Sequence, residues 1–109
     1  MSYLLTPGID KKARTPENIL AEAAEFFQVN VKYILKKERS RDRVIIRYHI
    51  FNAMRDKYRW QLVKIGKVFN QDHTTVVHGI KTLRNLMKVY PEIHEDYESL
   101  SNHLNKTIR

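Results

Sequence analysis

The chain has 109 residues, enough for one domain with a single modest core, and its 42% hydrophobic content is that of a folded domain. It contains no cysteine, which excludes disulfides and thiolate chemistry and fits a reducing compartment. Apolar runs such as Val44-Ile45-Ile46 fall far short of the roughly 18 residues of a membrane span, and the N-terminus lacks the pattern of a signal peptide.

The net charge of +8 is concentrated in the middle of the chain. Residues 36–67 carry eleven basic and three acidic side chains, a net charge of +8, and the remaining residues balance to zero. Charge focused in this way favours a polyanionic partner, which is DNA, RNA or an anionic membrane surface. The plainer interpretation is a solvated helix face.

In chain order, the first predicted elements are a leader and two helices. Residues 1–14 show no periodicity and are predicted to be a flexible leader. Thr15-Pro16-Glu17 is typical of a helix start, with a threonine cap and a proline in the first turn. Asn30 is predicted to cap a short second helix, and residues 35–43 form a charged, exposed connector.

Four more helices are predicted from the connector to the C-terminus. The first is long, from about Asp42 to Tyr58, and the second is short, over residues 60–69. After a tight turn at residues 70–71, a helix from Asp72 to about Lys88 buries the stripe Val76, Ile80, Leu83 and Met87. Pro91 begins the last helix. No period-2 strand pattern is present, so the prediction is an all-α fold with about six helices, in one domain over residues 15–109.

Two consecutive helices joined by a very short turn form a helix-turn-helix pattern, in which the second helix enters the major groove by its first residues. Here those residues are Asp72, His73, Thr74 and Thr75. Histidine can donate or accept on a base edge, threonine can contact phosphate or a thymine methyl, and aspartate can accept from cytosine. The plainer interpretation is a capped helix start with a solvated histidine. Gly79 is predicted to let a neighbouring helix come close.

The stretch DHTTVVHGIKTL, residues 72–83, resembles the signature of the C-terminal DNA-binding domain of the bacterial replication initiator DnaA. The upstream IGKVFNQ resembles the family's I-G-x-x-F turn, residues 36–47 resemble its basic loop, and residues 15–19 resemble the start of the domain. The resemblance covers roughly residues 15–104. It implies a fold of the Trp-repressor-like helix-turn-helix type.

The resemblance also implies a set of DNA contacts on double-stranded DNA. Asp72, His73 and Thr74 match the family's major-groove readers, and Arg39 matches the arginine that inserts in the minor groove, where a narrow A·T-rich groove attracts it. Phosphate contacts, which position the duplex without reading sequence, match five further residues: Arg41, Arg47, Arg55, Thr75 and Lys81.

Beyond DNA, the resemblance implies a protein of the cytoplasm and nucleoid that contacts the replication machinery. No cofactor and no metal are expected, and a monomer is favoured. Residues 44–47 lack the proline of the family's basic loop, the turn Asn70-Gln71 is one residue shorter and lacks an arginine, and Lys64 stands where an acid is common. These departures bear on the target box rather than on DNA binding.

The chain contains no G-x-x-x-x-G-K-[ST] phosphate loop, so ATP-driven melting of an origin is not expected of it alone. If the sequence is complete, the domain stands alone. One alternative is a protein-binding module or transcriptional regulator that competes with the initiator for partners or sites, with the acidic last helix as a docking face. Weaker alternatives are an enzyme, for which the five histidines offer no HExxH motif, a membrane-surface helix, and a single-strand RNA reader.

Overall fold

The computed structural model describes residues 15–36 and 40–106, apart from the side chains of residues 105 and 106. The predicted leader and Arg39 lie outside the described residues. Within them the chain forms six helices and no strand: α1 (Pro16–Phe27), α2 (Val31–Leu35), α3 (Arg41–Asp56), α4 (Leu62–Val68), α5 (His73–Val89) and α6 (Pro91–Lys106). The all-α, six-helix prediction is confirmed. None of the described helices is long and apolar enough to cross a membrane.

The helix starts that the sequence predicts are confirmed by their caps. The Thr15 hydroxyl accepts a hydrogen bond from the backbone N–H of Asn18 at 3.2 Å, and Pro16 takes the first helical position. The Asn30 side chain accepts from the N–H of Tyr33 at 2.8 Å. Each cap satisfies a backbone donor that the first turn of a helix leaves without a partner.

The long helix α3 differs from its prediction at both ends. It begins at Arg41, because the Ser40 hydroxyl caps it by accepting from the N–H of Arg43 at 3.4 Å. It ends at Asp56, two residues before the predicted end, and Arg59 then adopts a left-handed conformation with φ 58°. Leu35 belongs to α2 and Arg41 begins α3, so both ends of the predicted connector, residues 35–43, are helical, and residues 37–39 within it lie outside the described residues.

Helix α3 lies at the centre of the core and packs against α1, α2, α4 and α5. Burying one large aliphatic or aromatic side chain stabilises a fold by about 1.5–3 kcal/mol, so the buried residues of the core supply most of the driving force for folding. On α5 the predicted stripe is confirmed at Val76, Ile80 and Leu83, whereas Met87 is only partly buried. The residues that are less than 2% exposed include Ile19, Ile34, Ile50, Phe51, Met54, Ile65, Val76, Leu83, Leu100 and Leu104.

The crossing of α3 and α5 depends on Gly79, as the sequence predicted. A Cβ atom at this position would lie 2.6 Å from Cδ1 of Tyr48 and 2.9 Å from Cδ2 of Phe51. Both distances are shorter than van der Waals contact, so a side chain on Gly79 would push the two helices apart. The close approach fixes where α5 leaves the core.

Candidate nucleic-acid interface

The turn between α4 and α5 is closed by two backbone hydrogen bonds. The N–H of Gln71 donates to the carbonyl of Gly66 at 2.8 Å, and the N–H of Asn70 donates to the carbonyl of Lys67 at 3.2 Å. Asn70 is left-handed, with φ 55°, a conformation that asparagine tolerates better than most residues. This is the Schellman arrangement of a helix C-terminus, and it fixes the direction in which α5 starts.

Asp72 caps α5 with both of its carboxylate oxygens. One oxygen accepts from the backbone N–H of His73 at 3.0 Å, and the other accepts from the Thr74 hydroxyl at 2.7 Å. The Thr74 hydroxyl and the His73 N–H hold the pKa of Asp72 below its usual value. The carboxylate therefore anchors the backbone and side chain of the two residues that follow it.

The first turn of α5 is presented to solvent. The side chain of His73 is 52% exposed and that of Asp72 is 68% exposed, and their facing atoms, His73 Nδ1 and Asp72 Oδ1, are 3.4 Å apart. Thr74 is exposed and Thr75 is half-buried. The major-groove readers implied by the resemblance thus lie together at the N-terminus of one helix, where the helix dipole is positive.

A small cationic cleft continues this surface along α5. It has a volume of about 200 Å³ and is lined by Arg55 of α3, Leu62 of α4, and Val77, Ile80, Lys81 and Arg84 of α5. At 100° per residue, His73, Val77, Lys81 and Arg84 fall within about 80° of one another on α5. The structure therefore brings two predicted phosphate-binding residues, Arg55 and Lys81, to the face that carries His73.

Arg55 and Arg84 are held in place by hydrogen bonds to the protein. Nη1 of Arg55 donates to the carbonyl of Trp60 at 2.9 Å, and Nε of Arg84 donates to Oδ1 of the buried Asn52 at 3.2 Å. Arg84 is not among the DNA-binding residues predicted from the sequence. Its spacing of three residues from Lys81 was the available signal, because residues at i and i+3 share a helix face.

Arg47 lies apart from the cations of the cleft, in the interior between α2 and α3. It is 8% exposed, and its Nη1 donates to the carbonyl of Ile34 at 3.1 Å and to that of Lys36. Burial lowers the pKa of Arg47. These carbonyls are at the C-terminus of α2, where backbone acceptors lack helical partners. Arg47 is therefore buried and not part of the exposed surface. Arg41, by contrast, is exposed in the first turn of α3.

The arrangement of α4, the Asn70-Gln71 turn and α5 is that of a helix-turn-helix domain. Residues 16–83 match the family described as "Bacterial dnaA protein helix-turn-helix". The chain belongs to that family, and the resemblance read from the sequence, including the DNA-binding helix-turn-helix class, is confirmed.

Relatives of known identity are far longer than this chain. The chromosomal replication initiator protein DnaA of Francisella tularensis subsp. tularensis is 31% identical over 99 residues, which cover 90% of this chain and 20% of that protein. The chromosomal replication initiator protein DnaA of Neisseria meningitidis serogroup C is 31% identical over 90 residues, which cover 82% of this chain and 17% of that protein. The chain thus spans about a fifth of the length of these relatives.

Proposed function

We propose that this chain binds double-stranded DNA with sequence preference, at a site of the DnaA-box type, and acts in replication initiation or its regulation. The observation that carries the proposal is the start of α5. There His73 and Thr74 are exposed, directly after a helix-turn-helix turn that backbone hydrogen bonds close. Base edges in the major groove present donors and acceptors that such side chains can read.

In this proposal the cationic cleft supplies affinity rather than sequence choice. Arg55 and Lys81 lie on the face that carries His73, and Arg84 adds a third cation. Phosphate contacts of this kind release counterions, so the affinity falls steeply with salt concentration. The N-terminal dipole of α5 and the half-buried Thr75 hydroxyl suit a phosphate beside the groove.

The minor groove is assigned to the basic loop before α3. Arg39 matches the family's inserting arginine, and Arg41 follows it at the exposed start of α3. Two elements that contact opposite grooves would fix both the register and the orientation of an asymmetric site. The proposed contacts of Arg39 and Arg41 rest on the resemblance and on the charge of this segment.

We also propose that the chain itself acts without ATP hydrolysis, by occupying its site in the nucleoid. Its three glycines, Gly8, Gly66 and Gly79, do not form the phosphate loop that ATP binding of the common P-loop type requires. The initiators that it resembles are about five times longer. The part of them that matches this chain is the helix-turn-helix part.

The test measures duplex binding by two variants, one expected to lose affinity for the box alone and one expected to lose affinity for any duplex. His73→Ala should weaken binding to a DnaA-type box by about 1–3 kcal/mol and leave binding to a scrambled duplex nearly unchanged. Lys81→Ala should weaken both duplexes alike and reduce the salt slope by about one. Fluorescence anisotropy across a salt series measures both quantities.

Matched controls are His94→Ala and Lys88→Ala, which change the same residue types at exposed positions away from the start of α5. Neither control should alter the preference for the box. Equal loss on both duplexes for His73→Ala would assign His73 to the DNA backbone and contradict its proposed role as a reader.

A further inference from the structure

A second recess lies between α1, α2 and α4. It has a volume of about 680 Å³, and its walls are mainly aliphatic. Val63, in the first turn of α4, lies on its edge and is 52% exposed, a high value for a valine. Apolar concavities of about 300–1,000 Å³ are typical of binding sites. We call this recess the α4 groove; its aliphatic lining consists of Leu20, Val31, Leu35, Val63 and Val68.

The rim of the α4 groove carries a defined charge pattern. Lys64 and Lys67 line it from α4, and both are exposed. They are three residues apart and therefore share one helix face. Glu17, from the first turn of α1, is the acidic group among the lining residues. The groove therefore pairs an apolar floor with two adjacent positive charges.

The α4 groove and the cationic cleft lie on different sides of α4. Leu62 lines the cationic cleft, whereas Lys64 and Lys67 line the groove. At 100° per residue, these two lysines are about 160° and 140° away from Leu62 around the helix. An occupant of the groove would consequently leave the proposed DNA face open.

We propose that the α4 groove binds an acidic amphipathic helix of a partner protein. Its apolar residues, at i, i+3 or i+4, and i+7, would fill the aliphatic floor, as in other helix-in-groove complexes. Its carboxylates would pair with Lys64 and Lys67, and a basic end would lie near Glu17. The proposal concerns a surface separate from the DNA face and does not depend on DNA binding.

Charge and burial argue against two other occupants. The leader, residues 1–14, carries Lys11, Lys12 and Arg14 against a single acid, so it has the same sign as the lysine rim. A second copy would have to offer its acidic helix α6. The apolar residues of α6, which include Tyr97, Leu100 and Leu104, are already buried in its own core.

The test uses the full chain and two synthetic helical peptides of about 16 residues with the same leucine stripe, one flanked by glutamates and one by lysines. Methyl NMR should show shifts at Val63, Val68 and Leu35 with the glutamate peptide. The Lys64→Glu/Lys67→Glu variant should bind that peptide about tenfold or more weakly and bind the lysine peptide better. Both lysines are exposed, so the variant keeps the core intact.

The matched control is Lys81→Glu/Lys88→Glu, which makes the same charge change on α5. It should keep its affinity for the glutamate peptide within about twofold, because distant exposed charges are largely screened. The proposal is contradicted if the groove methyls do not respond at ~1 mM peptide, or if the two peptides bind alike.

Two further outcomes would assign the groove to another occupant and overturn the partner proposal. Shifts of the groove methyls caused by Leu4→Ser/Leu5→Ser, without peptide, would identify the leader as the occupant. Shifts that grow with protein concentration, together with a dimer in sedimentation, would identify a second copy.

Discussion

Gly66 and Gln71 touch across the helix-turn-helix turn, and their contact leaves no room for a side chain. The N–H of Gln71 donates to the Gly66 carbonyl at 2.8 Å, while a Cβ on Gly66 would lie 2.5 Å from the carbonyl oxygen of Gln71. The atom in the way belongs to the backbone of the turn, so it cannot move aside as a flexible side chain would. The direction of α5 therefore depends on this glycine.

Gly66→Ala should displace the turn and lower the free energy of unfolding by about 1–3 kcal/mol, the usual cost of overpacking. Box binding should fall further than the loss of stability explains, because Asp72 and His73 follow the turn directly. Urea unfolding and anisotropy under folding conditions measure the two effects. Gly79→Ala is the comparison: its Cβ would meet side chains of Tyr48 and Phe51, so it should reduce stability with less effect on the turn. Unchanged box affinity in Gly66→Ala would show that the direction of α5 does not depend on this glycine.

Asp72 can act as an anchor or as a base reader, and two substitutions separate these roles. Asp72→Ala removes the cap and should lower both the free energy of unfolding and the box affinity. Asp72→Ser keeps a capping oxygen and removes the carboxylate. If Asp72 acts mainly by fixing His73 and Thr74, the serine variant should retain most of the box affinity. If the serine variant loses as much box affinity as the alanine variant while the two are equally stable, Asp72 reads a base directly.

Arg47→Met should destabilise the fold, because it removes hydrogen bonds from a charged donor to the carbonyls of Ile34 and Lys36. Hydrogen bonds to charged groups contribute about 1.5–3 kcal/mol each, so the free energy of unfolding should fall by roughly 2 kcal/mol or more. The slope of the logarithm of the DNA-binding constant against the logarithm of the salt concentration should stay near that of the parent chain. A slope reduced by about 0.9 would instead reveal a phosphate contact by Arg47.

His49 should make the stability of the fold depend on pH. It is 1% exposed, lies against the rings of Phe27 and Tyr97, and its Nδ1 is 2.9 Å from the Ile45 carbonyl. Burial lowers the pKa of His49, although the backbone carbonyls of Ile45 and Ile93 and the charge of Asp96 oppose the shift.

Because the folded pKa of His49 lies below its unfolded value of about 6.5, the unfolded chain binds the proton more tightly. The stability that neutral His49 contributes is complete above this pH and is lost as the pH falls, by at most about 1.4 kcal/mol per pH unit. His49→Phe should flatten the curve of unfolding free energy between pH 7 and pH 5, and His94→Phe should not. A curve unchanged by His49→Phe would contradict this assignment.

The sequence predicted the elements whose signals are local. Caps at Thr15 and Asn30, the proline at Pro91 and the periodic stripe of α5 depend on residues a few positions apart, and each is present. The exposed pair His73 and Thr74 also followed from position, because the first turn of a helix is identifiable from its cap.

Features that depend on packing between distant segments could not be predicted in this way. Arg47 has the same charge as Arg41 and Arg55, and only the fold shows that the end of α2 encloses it. The α4 groove joins residues of α1, α2 and α4 that no periodicity connects. The capping bond from Ser40, which starts α3 earlier than its hydrophobic stripe suggests, involves a residue type common in loops.

The most direct measurement is anisotropy of the parent chain at physiological salt, with one duplex carrying a DnaA-type box and one carrying its scramble. The box should bind at least about 10³-fold more tightly than the scramble, the lower range of specific DNA-binding proteins. Equal affinities with a steep salt slope would show a chain that holds phosphates without reading this box. No binding to either duplex would contradict the DNA-binding function itself.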